Sequence, residues 1–327
     1  MTAASAARSA SAVRSASAVR SASVARFAAA VRFSSVARFA SAARSAAVVR
    51  SALPEERRFS GGDPRVRFRD LLVAEWIKLW SLRSTRWVLG VGLVLLVLGA
   101  VQKSLNDYRA WPTFPPRARE HYDPMTAAFS QISAVLLVVG SGVVGALTLV
   151  GEYATGLVRA TFSAVPARHR VVLAKVAVVT AVMLALGVVV SLSTFTVSQA
   201  ILSGRGISVS ARASGVPHVL VANALLAPLA ALVGMGVGAL LRHTAGTVVA
   251  VIALLVILPM TFKPTVHQWA NDFYMWFPFY DWVHCLALRH PPSNPALPTA
   301  ADAWTAFAGW ALASVAVAVV AVRRRDV

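Results

Sequence analysis

Six long apolar runs recur along the chain, at about 87–105, 127–150, 171–202, 216–241, 244–262 and 304–322. A helix of about 20 residues crosses a hydrocarbon core of about 30 Å, so each run has the length of a membrane span. Polar stretches separate them: a Pro-rich loop at 106–123, a charged stretch at 151–170, a short loop at 204–215, the pair Arg242-His243 and a Pro- and aromatic-rich loop at 263–300. The pattern predicts an all-α membrane protein with six transmembrane helices.

Just before the first run, residues 68–86 predict an amphipathic helix. Phe68, Leu71, Leu72, Trp76, Leu79 and Trp80 recur at helical spacing, and Arg69, Asp70, Glu75, Lys78 and Arg83 are assigned to the other face. Trp76, Lys78 and Trp80 combine indoles with a cation, which suits a helix lying in the membrane interface, in contact with lipid, and leading into the first span.

Residues 1–66 read differently. Arg recurs at 8, 14, 20, 26, 32, 38, 44 and 50, against Ala, Ser, Val and Phe. Six residues turn a helix by about 600°, which spreads successive Arg over three faces and builds no amphipathic stripe. The segment is expected to be a disordered, low-complexity tail, with the native start downstream of it, and residues 67–327 to form the six-span domain.

Composition agrees with that division. The chain of 327 residues is 57% hydrophobic with a formal net charge of +19. A basic surplus of this size raises nucleic acid as a partner, but its distribution points elsewhere. Thirteen Arg fall in residues 1–70. Of the other Lys and Arg, eleven fall at the ends that share a side with both termini and eight at the opposite ends. The positive-inside bias then places both termini in the cytosol. The single cysteine, Cys285, excludes an internal disulfide and a cysteine-rich metal site.

Candidate chemistry is sparse. Gly140, Gly142 and Gly145 match G-x-G-x-x-G, but they stand inside an apolar run, where small residues let helices approach closely rather than cradle a dinucleotide. Gly234, Gly236 and Gly238 read the same way, and no G-x-x-x-x-G-K-[ST] phosphate loop occurs. Ser191, Thr194, Ser198 and Gln199 share a stretch of the third span; they could line a polar path, or hydrogen-bond between helices. Asp281, His284, Cys285 and His290 fit no metal-ligand spacing, so no metal site is expected. No catalytic triad or carboxylate pair is convincing, so the chain is not expected to be an enzyme. No acid lies deep in a run, which weighs against an ion-coupled carrier.

The charged stretch carries the strongest signal. Residues 152–175, EYATGLVRATFSAVPARHRVVLAK, resemble the E-Y-x-x-G-x-x-R-x-T-[LF]-x-x-x-P-x-R-x-x-x-x-x-K stretch of bacterial ABC transporter permeases of the type-2 export class. Residues 74–87, AEWIKLWSLRSTRW, are similar to that family's elbow helix and first span. The resemblance implies a permease of the bacterial plasma membrane that pairs with a second permease chain and with separate ABC-type ATPase subunits. It implies export of a substrate that the sequence does not name. ATP and Mg would sit on the partner, with no cofactor on this chain. It implies that Glu152, Tyr153, Gly156, Arg159, Thr161, Pro166, Arg168 and Lys175 form the loop that couples to the ATPase. Two alternatives stand beside it: an ion-coupled carrier or other polytopic membrane protein without ATP coupling, and a structural or regulatory partner without transport activity.

Overall fold

The computed structural model describes residues 67–81, 83–155, 168–261, 276–289 and 299–324, all within one compact unit, Arg65–Val327. It is all-helical, at 87% helix, with no strand among the described residues. Seven longer helices carry it: α1 (Phe68–Ser81), α2 (Arg83–Ala110), α3 (Gln131–Thr155), α4 (Arg168–Ser203), α5 (Val216–Leu241), α6 (Thr244–Ile252) and α7 (Ala300–Arg324). Six helical stretches, those of α2 to α7, are long and apolar enough to cross a membrane, as the runs predict, so the chain is a multi-pass membrane protein. The tail at 1–66 lies outside the described residues.

The ends of the helices follow local chemistry rather than the ends of the apolar runs. Helix α2 continues past the run to Ala110, supported by Lys103 and Asp107 one turn apart, with Nζ 2.5 Å from Oδ1. Residues 127–130 do not belong to the second span. Met125–Ala128 is a separate turn that ends at Phe129 (φ −123°, ψ 66°), and the Ser130 hydroxyl then accepts a hydrogen bond from the Ser133 amide at 3.2 Å, capping α3. Thr299 and Asp302 cap α7 reciprocally: the Asp302 amide donates to Thr299 Oγ1 at 3.2 Å and the Thr299 amide to Asp302 Oδ2 at 3.1 Å.

Helix α6 widens before its proline. Ala253–Ile257 winds as a π-helix, with the Leu258 amide donating to the Ala253 carbonyl, and Leu258–Thr261 follows. Pro259 offers no N–H and its ring would crowd the carbonyl four residues back; the wider turn makes room for it.

Helix α5 is the central one. Its apolar window is 78% buried, against 17% for α2, and it packs on α3, α4, α6 and α7. Glycines bring the backbones together, as the sequence predicts for Gly142, Gly145, Gly234, Gly236 and Gly238. A Cβ at Gly145 would lie 2.1 Å from the Ala231 carbonyl oxygen, and one at Gly234 2.0 Å from that of Gly142. Gly140 has open space around it and takes no part. On the α4 side, a Cβ at Gly187 would lie 2.0 Å from the Ala224 carbonyl oxygen. Pro228 stands inside α5 and supplies no N–H to that carbonyl one turn back. The unclaimed oxygen of α5 therefore points at the glycine of α4.

One further segment lies between the spans. Residues 276–289, within the Pro- and aromatic-rich loop, form a short helix, Pro278–Asp281, and a π turn, Trp282–Leu286. Asp281, Trp282, Cys285 and Leu286 are at most 1% exposed, because this segment packs against α5, α7 and the end of the α6 stretch. The aromatic residues at 262–275 and His290 lie outside the described residues.

Candidate functional site

Four charged side chains converge where α1 meets the adjoining ends of α3 and α4. Lys78 of α1 donates to Glu75 Oε1 at 2.7 Å, one turn back on the same helix, and to Glu152 Oε1 of α3 at 3.1 Å. Lys175 of α4 donates to the same Glu152 oxygen at 2.9 Å and to Glu75 Oε2. Two ammonium groups and two carboxylates thus alternate around a closed ring of zero net charge. Glu75 and Lys175 are nearly inaccessible, at 5% and 6% side-chain exposure, whereas Lys78 is 42% exposed.

The position of Glu75 corrects the expectation for α1. Residues 71, 75 and 79 fall about 40° apart around a helix, so Glu75 lies in the middle of the face that Leu71 and Leu79 bury. That face packs on α4, where Leu71 joins Val171 and Ala174. The carboxylate is tolerated there because two lysines bind it. Trp76 and Trp80 pack against each other with their rings tilted by 56° and centroids 5.6 Å apart, and lie off this face, 48% and 36% exposed, beside Val73 and Ile77.

For the Lys78 ammonium, burial pushes the pKa down, but the hydrogen bond it donates to Glu75 and the charges of Glu152 and Glu75 outweigh it, and the value rises above the usual lysine range. The ring forms one wall of a cavity of about 330 Å³, whose other walls combine apolar Leu79, Leu147 and Val178 with the hydroxyl residues Ser81, Thr85 and Thr148.

Beside Glu152, Tyr153 carries the Arg242 guanidinium 4.7 Å from its ring centroid. Arg242 occupies the left-handed region (φ 53°) where α5 ends, and its amide closes that end on the Gly238 carbonyl. The His243 ring nitrogen then accepts from the Gly246 amide at 3.1 Å and caps α6. The turn expected at Arg242-His243 is thus present and tied to α3.

Of the eight residues of the expected coupling loop, the structure joins Glu152 and Lys175 directly and places Tyr153 beside them. Arg168 opens α4. Gly156, Arg159, Thr161, Pro166 and the Arg168 side chain lie outside the described residues. Sequence reasoning missed Glu75 as a partner of Lys175 and Arg242 as a partner of Tyr153. The Glu75–Lys78 spacing of three signals only that pair; the partnerships with Lys175 and Arg242, on other helices, had no such signal.

The polar residues of the third span sit toward the opposite end of α4, all at most 8% exposed. Ser191 donates to the Leu220 carbonyl of α5 at 2.9 Å, and Ser198 accepts from Ser104 of α2 at 2.9 Å. Thr194 bonds back to its own helix, at the Val190 carbonyl. Gln199 accepts from the Val209 amide at 2.8 Å and donates to the Pro124 carbonyl at 3.4 Å. Apart from that of Thr194, these bonds run between helices and to the loops.

No protein-family model matches the chain, and no curated protein matches it.

Proposed function

We propose that this chain is the membrane-spanning permease subunit of a bacterial ABC-type exporter, driven by ATP hydrolysed on a separate subunit. The observation that supports this reading best is the four-residue ring. It ties α1 to the two helices joined by residues 156–167, the segment whose sequence resembles the coupling loop of such permeases. A helix pulled out of the ring strands a buried charge, at a cost of about 3–5 kcal/mol. A push received at that loop or at α1 is therefore shared among α1, α3 and α4.

On this reading the ring end faces the cytosol, together with both termini. Helix α1 lies in the interface with Val73, Trp76, Ile77 and Trp80 toward lipid. A second permease chain completes the translocation path.

The test is co-purification of ATPase activity with the tagged chain from native membranes. Arg159→Ala probes docking at the loop, and Glu152→Ala opens the ring as well. Each is expected to insert normally and to lose co-purifying ATPase and transport, while Arg212→Ala at the opposite end keeps both. Normal transport with full ATPase recovery in both loop variants would rule the reading out.

A further inference from the structure

Asp281 is the one carboxylate among the described residues that is completely inaccessible, at 0% exposure. Neither of its oxygens has a hydrogen-bond partner. An ionised carboxylate in that setting would carry an uncompensated desolvation penalty, whereas the neutral acid costs far less.

Among the described residues, the surrounding titratable groups supply Asp281 with no hydrogen-bonded counter-charge. On its own segment stand Tyr280, His284, Cys285 and Arg289. The His284 ring packs 4.2 Å from that of Tyr280, and burial lowers its pKa, which favours the neutral imidazole. Arg289 gives its backbone amide to Asp123 at 3.0 Å, and its guanidinium makes no hydrogen bond to Asp281. Helix α5 offers His218, whose ring bonds the Leu288 carbonyl at 3.0 Å. The α6 stretch at 253–261 has no titratable residue. Helix α7 offers Asp302, a second negative charge, held ionised by its hydrogen bonds to Thr299. Burial first, and Asp302 second, push the Asp281 carboxyl up to about 8.

We propose that Asp281 is a proton-binding site: it holds a proton while residues 276–289 are packed, and loss of that proton to solvent releases the segment from α5 and α7. Packing and protonation are two sides of one equilibrium. The packed form has no room for the charge, and the open form exposes the carboxyl to water, where it ionises in the ordinary range. This latch is independent of whether ATP drives the protein.

The chain carries its own reporter. Cys285 is the single cysteine, is 1% exposed, and lies one helical turn beyond Asp281. The full chain, in detergent or nanodiscs, is treated with a maleimide across a pH series. Dividing the wild-type labelling rate by that of Asp281→Asn cancels the ionisation of the thiol itself. Opening that releases one proton grows about tenfold per pH unit between the usual carboxylate range and about 8. The ratio is therefore expected to rise about tenfold per unit across that window and to level off above it. An ionised Asp281 that stayed in place would raise the Cys285 thiol pKa and slow its labelling, so a rise reports opening. A flat ratio overturns the proposal.

If Asp281→Asn does not fold, Asp281→Ala replaces it, and the wild type alone still decides by infrared spectroscopy. A protonated-carboxyl C=O stretch is expected at about pH 6 and its loss above about pH 9. No such band at about pH 6 overturns the proposal.

Discussion

Replacing Lys175 by Met removes one corner of the ion-pair ring and keeps the length of the side chain. Lys175 bonds Glu75 and Glu152, so both carboxylates lose a partner. Glu75 suffers most, because only 5% of its side chain reaches solvent. Removing one partner from a buried pair costs about 3–5 kcal/mol, since the other charge stays desolvated. Lys78 still reaches both carboxylates, at 2.7 and 3.1 Å, which places Lys175→Met near the lower end, at about 3 kcal/mol. Lys78→Met removes a half-exposed ammonium and leaves Lys175 on both carboxylates, so it is expected to cost less, about 1 kcal/mol. The double variant Glu75→Gln/Lys175→Met takes away one charge of each sign and leaves the Lys78–Glu152 pair. It should be more stable than Lys175→Met alone, with a coupling of about 1–3 kcal/mol. Equilibrium unfolding in mixed micelles, titrated with SDS and followed by circular dichroism, measures wild type, these three variants and the single Glu75→Gln that completes the cycle. If Lys175→Met lies within about 0.5 kcal/mol of wild type, or if the double variant costs the sum of its singles, the ring does not couple these helices.

Two further outcomes test the fold itself. Gly145→Val drives a side chain into the Ala231 backbone of α5 and should destabilise by about 1–3 kcal/mol or prevent folding, while Gly140→Ala, with open space around it, should be neutral in the same titration. In a Cys285→Ser background, single cysteines at Ser60 and Asp326 should be shielded from a membrane-impermeant thiol reagent in intact cells and one at Ser293 should react; the opposite pattern would invert the topology.

The six spans were legible because a membrane helix announces itself through length and apolarity alone, which need no tertiary context. The close approach at Gly145 and Gly234 was legible for a similar reason, since small residues have few other uses in such a run. The partners of Glu75 were not. Periodicity sorts residues by polarity, so a carboxylate in the middle of a buried face is assigned to the opposite one, and the lysine that makes it tolerable stands on a different helix, α4. Asp281 was hidden by the same logic. It sits outside every apolar run, in a loop rich in Pro and aromatics, and only the packing of residues 276–289 between helices removes it from water. The start of α3 was readable in principle from Ser130, an ordinary capping residue, but the apolar residues at 127–129 extended the run past it.

The glycine contacts of α5 also decide which parts of the protein can move. Side chains that interdigitate can change rotamer and absorb a small displacement; two backbones in direct contact cannot. Gly145 and Gly234 fix α3 to α5, and Gly187 against the carbonyl freed by Pro228 fixes α4 to α5. These three helices therefore travel as a single rigid body. Helices α2 and α6, with 17% and 28% of their apolar windows buried, make no such backbone contact at a glycine among the described residues. On the proposed function the ring is the handle on that body: Glu152 and Lys175 are mounted on the block, and Glu75 and Lys78 are the grip through which α1 turns it.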